Sequence, residues 1–349
     1  MRHLSINKLN YLLFAITLAM MLCAGPVISK AQAKEKVWKL QIQLFTVPGK
    51  WDAQWVVPMK FAEFIKKHTK GRVVCSMHPV GELVGPREIW TSVSAGTIDG
   101  GATLNLYEGG THPEFCFDFG PIATIDEYFK VMHAGALDIL SKQALRENVR
   151  IFGYFPLVPY AAFSMKNEFV KTLDDLKGKK IRGMGGAGNL FLKAVGAGIV
   201  TLPMSEVPAA LQTGVVDGIH TGLAGLYAMH LWDVAPYFTP TKSGCFAFLF
   251  LLDEDLYKEF PPDIKAGIAS AQRDLEQWYP IYDRDFRNAI IKDTEQKGVK
   301  WYFLSPKEDD RCRELLSDAS VSWVTKREPD IGRKLYAIIE KTTGQKVLK

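Results

Sequence analysis

The stretch Glu88-Ile-Trp-Thr-Ser-Val-Ser-Ala-Gly96-Thr-Ile-Asp99-Gly100 has a counterpart 118 residues later, Glu206-Val-Pro-Ala-Ala-Leu-Gln-Thr-Gly214-Val-Val-Asp217-Gly218. Each copy runs glutamate, seven residues, glycine, two apolar or β-branched residues, then Asp-Gly. The pattern predicts a helix stopped by a left-handed glycine, followed by the opening of a buried parallel strand. Two ordinary helix-to-strand turns can look alike by chance. Two α/β lobes of similar plan explain the repeat better, because 349 residues exceed what one hydrophobic core usually serves. A cleft between such lobes is a usual place for a small ligand.

Working outward from the first copy, residues 37–45 alternate apolar and polar as a strand does. Trp55, Met59, Ala62 and Ile65 fall at helical spacing within 51–68, and 71–77 reads as a second strand. Between the copies, 161–164 suggests a strand, 173–178 a short helix and 179–182 a strand. A glycine-rich turn, Gly183-Met-Gly-Gly-Ala-Gly188, then leads into a helix over about 189–195. Beyond the second copy, a helix is expected over 261–296, kinked at Pro280. A short strand at 300–304 and helices at 306–326 and 329–342 follow. This gives an α/β, two-lobed, periplasmic-binding-protein-like plan with a ligand cleft and a long C-terminal helix spanning both lobes. Residues 34–160 plus about 250–283 form one lobe, and 161–249 plus about 284–345 the other. Crossing segments are expected at 158–162, at 247–252 and along the long helix.

Composition narrows the function. The chain is 47% apolar and 23% charged, as expected of a folded, soluble protein. Its net charge is only +5, and no basic run exceeds a few residues, which argues against nucleic acid as a partner. Arg2 and Lys8 precede an apolar run from Tyr11 to Ala24, and Ala31-Gln32-Ala33 supplies a small-x-small cleavage pattern. Residues 1–33 therefore read as an export signal, with the mature chain starting near Lys34. The apolar run is short for a membrane span, though an uncleaved anchor is the alternative. Mature cysteines Cys75, Cys116, Cys245 and Cys312 contain no C-x-x-C pair and are expected to be isolated buried thiols. The seven histidines lack zinc-ligand spacing, so neither a metal nor another cofactor is expected.

Arg182 stands apart from the other basic residues. It ends a strand just before a glycine-rich turn into a helix, where α/β sheets bind ligands and free backbone N–H groups favour anions. Gly183-x-Gly185-x-x-Gly188 formally matches a dinucleotide fingerprint, but the strand before it is Lys-Lys-Ile-Arg rather than a buried apolar run. No nucleophile elbow, P-loop lysine motif or acid/base pair is identifiable, so no catalytic residue is assigned and no enzyme is expected.

Several runs carry a family resemblance. In the first half they are Phe61-Ala-Glu-Phe64, Gly71-Arg72, Pro79-x-Gly-Glu-Leu83, Pro86-Arg-Glu88 and Gly96-Thr-Ile-Asp-Gly100. In the second they are Leu173-Asp-Asp-Leu-Lys-Gly-Lys-Lys-Ile-Arg182, Leu202-Pro203 with Ser205-Glu206, and Ala210-Leu-Gln-Thr-Gly-Val-Val-Asp-Gly218. Together they resemble the DctP-type solute-binding proteins of tripartite ATP-independent periplasmic (TRAP) transporters over nearly the whole mature chain. The resemblance implies a periplasmic two-lobed receptor that closes on a small organic acid and delivers it to membrane permease subunits. A monomer is expected.

It also implies that Arg182 grips the ligand carboxylate, since a guanidinium offers two parallel donors to it. Tyr160 falls where the family often has a second arginine, and Met204 where it often places an apolar or aromatic wall. His220 and Thr221 follow Asp217-Gly218, where a pocket asparagine is common. Asn105 and Tyr107 follow Asp99-Gly100, and Trp51 follows the first strand, so all three are candidate cleft residues. Tyr160, Met204 and Trp51 favour a monocarboxylate with an apolar or aromatic part over sialic acid or a C4-dicarboxylate. A sensor partner instead of a permease, or an exported enzyme on the same scaffold, are the other readings.

Overall fold

The computed structural model describes residues 35–49, 53–157, 161–241 and 244–348. The expected export signal lies outside them, as do Trp51 and Tyr160. Val37 onward forms one unit, distinct from Met1–Lys36.

The first half opens with β1 (Trp38–Leu44), α1 (Ala53–His68), β2 (Val73–His78), α2 (Ile89–Ser94), β3 (Gly100–Leu104) and α3 (Asn105–Glu108). A 3-10 turn (Pro113–Cys116), α4 (Ile125–Val131), a π turn (Met132–Ala136), α5 (Leu137–Leu145) and β4 (Val149–Leu157) complete it. The second half contains β5 (Ala162–Met165), β6 (Lys180–Arg182), α6 (Gly186–Ala194), β7 (Gly198–Val200), α7 (Val207–Thr213), β8 (Gly218–Thr221), α8 (Leu223–Ala228) and β9 (Tyr237–Pro240). β10 (Phe246–Asp253), α9 (Glu254–Lys258), α10 (Pro262–Gln296), β11 (Lys300–Trp301), α11 (Pro306–Arg327) and α12 (Pro329–Thr343) end the chain.

The strands build two sheets, β2-β1-β3-β10-β4 and β7-β6-β8-β5-β9-β11. Each starts with three parallel strands and continues with an antiparallel neighbour, β10 in one and β5 in the other. The repeated motif sits at the same place in both. Ile42 pairs with Gly100 and Ile181 with Gly218. The Asp99 carboxylate accepts the Gln41 backbone N–H at 2.8 Å, and Asp217 accepts that of Lys180 at 2.8 Å. Gly96 and Gly214 take the left-handed φ of +66° and +75° that ends each helix. The glycine after each aspartate is required by close approach: a Cβ would lie 2.5 Å from the Leu251 carbonyl oxygen at Gly100 and 2.9 Å from that of Ser164 at Gly218. The repeat is thus one supersecondary unit used twice.

The two sheets exchange strands. The chain leaves the first sheet after Leu157 and enters the second at Ala162; it returns between Pro240 and Phe246. The second crossing therefore falls at 241–245 rather than at the expected 247–252. The physical reason lies in the run Phe246-Ala-Phe-Leu-Phe-Leu-Leu252: it is buried throughout and paired on both sides as an inner strand. Thr241 ties the two crossings together, its N–H and hydroxyl both donating to the Ala161 carbonyl at 2.9 Å.

The long α10 continues through Pro280 without a break in the helix. Its first part closes the open edge of β4, where the Gln272 carboxamide accepts from Tyr154 N–H at 3.1 Å and donates to Tyr154 C=O at 3.0 Å. Its end reaches the second half, where Lys297 donates to the Tyr227 hydroxyl at 3.0 Å. α11 packs on α6 of the second half and on the Pro113–Cys116 turn of the first, with Ser320 donating to the Cys116 carbonyl at 2.9 Å. α12 packs on α4 and the π turn. Cys116, Cys245 and Cys312 are buried and outside any disulfide, and Cys75 is partly covered. Among the described residues no helix is long and apolar enough to cross a membrane.

Candidate functional site

Arg182 is the last residue of β6, paired with Val200 of β7 and Ile219 of β8. The chain then turns through Gly183 and enters α6 at Gly186, with Gly185 and Gly186 at φ +82° and +44°. The glycines thus lie within and just before the first helical turn, three residues earlier than the spacing suggested. Arg182 is half-buried, and its Nε donates to the Leu202 carbonyl at 3.3 Å. No carboxylate among the described residues lies within ion-pair distance. Burial is the main cause lowering its pKa from the ordinary arginine value; Tyr107 opposes that shift and Arg87 adds to it. Arginine nevertheless stays a cation. A desolvated cation without a counter-ion is costly, and a bound anion would offset that cost.

Tyr107, on α3 of the first half, comes within electrostatic range of Arg182. Its ring meets Phe45 edge-on at 5.4 Å, and the Arg87 guanidinium lies 6.0 Å from its centroid. Burial raises the Tyr107 phenol pKa, while Arg182 and Arg87 both pull it down. The structure therefore brings together residues from both halves, and it adds Arg87, which was not among the expected site residues. The repeat held a signal for it: aligning Glu88 with Glu206 sets Pro86-Arg87 against Met204-Ser205, and Met204 was already a candidate.

Met204 and Thr221 converge at the same edge of the second sheet. Met204 opens the 3-10 turn (Met204–Glu206) just after Leu202, to which Arg182 is bonded. A Cβ on Gly225 would lie 2.4 Å from Thr221 Oγ1 and 3.0 Å from Met204 Cε, so only glycine lets these side chains approach the start of α8.

Two other expected contacts are fully buried. Asn105 is fully buried, and its amide donates to the Phe115 carbonyl at 2.9 Å and to Asp118 Oδ1 at 2.7 Å. It braces the loop to residue 118 and has no spare role as a cleft donor. His220 is also fully buried, stacked on Phe163 with centroids 4.7 Å apart and tilted against Phe191 at 5.5 Å. Burial, with Arg182 adding to it, lowers its pKa to about 3, so the imidazole is neutral. Trp51 and Tyr160 lie outside the described residues.

Two hollows elsewhere suit an acid less well. One, of about 570 Å³, is an open groove lined by Trp55, Met59, Trp278 and neighbours. The other, of about 810 Å³, lies where α4, α10 and α11 meet. Its Arg287 is already paired with Asp283 at 2.7 Å, Arg313 donates to the Pro121 carbonyl, and Asp126, Asp309 and Asp310 also line it. Unspent positive charge distinguishes the Arg182 edge from both.

Known proteins agree with this architecture. A solute-binding protein of Albidiferax ferrireducens is 22% identical over 223 residues, which cover 62% of this chain and 65% of that one, just under two thirds of its length. A TRAP periplasmic solute-binding protein of Rhodoferax ferrireducens, solved with bound malonate, superposes with a TM-score of 0.78 at 19% identity, covering 87% of this chain and 98% of the other. A Bordetella pertussis extracytoplasmic solute receptor binding pyroglutamic acid gives a TM-score of 0.72 at 19% identity, covering 86% and 99%. The sequence profile of DctP, "Bacterial extracellular solute-binding protein, family 7", matches residues 56–323. With that match spanning most of a chain built as two strand-exchanging α/β halves, the protein belongs to the DctP family of bacterial extracellular solute-binding proteins, which bind and do not catalyse.

Proposed function

We propose that this protein captures a small organic acid carrying one carboxylate and an apolar or aromatic part, and hands it to a membrane permease. Arg182 carries the reading: a half-buried guanidinium at a strand end that, among the described residues, is bonded to a backbone carbonyl and has no acid within ion-pair distance. A carboxylate would take its two remaining parallel donors. Met204, Tyr107 and Phe45 supply the apolar surroundings, Thr221 a hydroxyl, and Trp51 and Tyr160 complete the proposed contacts. Each half then contributes to the ligand's surroundings, so binding favours closure of the two halves. Export through residues 1–33 would deliver the receptor to the periplasm.

A second reading rests on Arg87. Arg182 and Arg87 both act on Tyr107, and this pair of cations suits a ligand with a second acidic group. The malonate-bound relative is a precedent for a diacid. Mass spectrometry of what co-purifies, followed by calorimetry with matched mono- and dicarboxylates, separates the two. Tighter binding of the diacids would favour the second reading. Binding of neutral sugars or amines in preference to any acid would end both. Loss of acid uptake on deleting adjacent permease genes tests the transport role; uptake that persists, with a defect in a sensor response instead, would replace the permease by a sensor.

A further inference from the structure

The repeat runs on past its two Asp-Gly pairs. Asn105 opens α3, and Leu223, 118 residues later, opens α8, so both copies pass from strand to helix at the same place. In α8 the first and fourth residues, Leu223 and Leu226, are buried and apolar. In α3 the same two places hold Asn105 and Glu108, which are buried as well. Between them α8 has the bare Gly225, where α3 has Tyr107, the side chain within electrostatic range of Arg182. Where apolar packing serves one helix, the helix that carries Tyr107 is held by hydrogen bonds.

Asp118 is the anchor of that arrangement. Its carboxyl is fully buried and takes donors from separate parts of the chain: the Asn105 amide at 2.7 Å, the Cys245 thiol at 3.7 Å and the Ala247 backbone N–H. Burial pushes the carboxyl well above its usual range, and these bonds pull it back. Phe119 stacks on Phe246 with centroids 5.1 Å apart, so the Asp118 loop and the start of β10 also meet in packing. Cys116 holds the same helix end from the other side, its thiol donating to the Asn105 carbonyl at 3.6 Å. Apolar contact is non-directional and lets a short helix slide, whereas hydrogen bonds to a buried carboxyl fix its setting. We infer that Asp118 is a positioning residue for ligand capture: by holding Asn105 against the start of β10 it sets α3, and so places Tyr107 at the Arg182 edge. The inference rests on the carboxylate reading of that edge and deepens it.

The test uses Asp118→Asn, which keeps the shape but replaces one accepting oxygen by a donor. Tyr107 is read first without ligand, in protein carrying 3-fluorotyrosine, its fluorine resonance identified by its loss in Tyr107→Phe. In Asp118→Asn that resonance should move or broaden, and its phenol titration should shift by about half a pH unit, because Arg182 and Arg87 act on it through distance. A resonance and titration both unchanged would overturn the inference. Calorimetry then uses malonate and pyroglutamate, acids bound by relatives of this fold. Asp118→Asn should lose about tenfold in affinity when Tyr107 is present and about threefold or less beside Tyr107→Ala. Equal losses in both backgrounds would make Asp118 merely structural and overturn the inference. Cys245→Ala removes one of the three donors and leaves the carboxyl; it should give the same pattern at smaller size and stands in if Asp118→Asn does not fold. Arg182→Ala keeps the two readings apart: undiminished affinity there sinks the carboxylate reading, while the fluorine measurement still decides Asp118, as it does if neither acid binds.

Discussion

Gln43 and Arg182 occupy the same place in two equivalent sheets, each one residue past the Ile–Gly pair that anchors its copy of the motif. Their fates differ completely. The Gln43 carboxamide is fully buried and spent on the backbone: Nε2 donates to Leu44 and Pro79 carbonyls at 2.6 and 2.7 Å, and Oε1 accepts from Leu83 N–H at 2.8 Å. Among the described residues Arg182 makes one 3.3 Å bond to Leu202, from Nε, which leaves its terminal donors. The next equivalent pair repeats the lesson. Thr103 donates to the buried Glu108 carboxyl at 2.9 Å, whereas Thr221 faces Gly225 and Met204. One half closes its strand edge with internal hydrogen bonds; the other leaves the same edge with capacity for a guest.

That contrast can be broken at Arg182 first. Arg182→Ala should lose on the order of 30- to several-thousand-fold in affinity for the identified acid, because one member of a buried charge pair is removed. Arg182→Lys should also bind less well, lacking the two-pronged geometry. Calorimetry alongside apo thermal melts reads both effects; a collapsed apo melting temperature in either variant would make Arg182 structural, like Gln43.

Gln43→Ala should do the reverse. Three carbonyls and two backbone N–H groups lose their partner, at a cost of about 2–4 kcal/mol in folding stability. Urea denaturation should show that loss, while the folded fraction still binds ligand. A stability change within error would erase the distinction between the two positions.

Glu108 sharpens the comparison through pH. Burial, the largest cause, raises its carboxyl to about 7, against the opposing Thr103 hydrogen bond and Arg87. Since the folded value lies above the unfolded one, the native state holds the extra proton between them. Its contribution to stability is therefore full below about 4.5 and declines as pH rises towards about 7. Glu108→Gln should be more favourable relative to the unaltered protein at pH 8 than at pH 5, by on the order of 2 kcal/mol. A difference that does not change with pH would remove Glu108 from that account.

The smallest effects should be equal. Asp99→Ala and Asp217→Ala each remove one 2.8 Å bond to a neighbouring strand, costing about 1 kcal/mol apiece. Unequal melts would show that the two copies share a pattern without sharing its energetics.

Much of this was written in residue order. The glycine, apolar pair and Asp-Gly of each copy encode a helix stop, a buried strand and a close approach, all local requirements, so the duplicated α/β plan could be read directly. The carboxyl-end position of Arg182 was legible for the same reason. The second crossing was misplaced because an apolar run such as 246–252 looks the same whether it bridges two lobes or fills the centre of one sheet; only its pairing on both sides decides. Asn105 read as a candidate cleft residue because its place after a strand is visible in sequence, whereas its bonds to Phe115 and Asp118 come from a loop folding back.

What sequence alone determined, then, is the architecture and the charge: two copies of one unit, and an arginine at the end of one strand. Tertiary structure decided which polar side chains remain unspent. Gln43 and Arg182 are both polar residues at equivalent strand ends, and local pattern cannot rank them. The difference arises where distant segments arrive, with 78–84 closing over Gln43 and, among the described residues, only the Leu202 carbonyl bonding Arg182. Hydrogen bonding is short-ranged and saturable, so a donor's availability depends on neighbours that only the folded chain supplies.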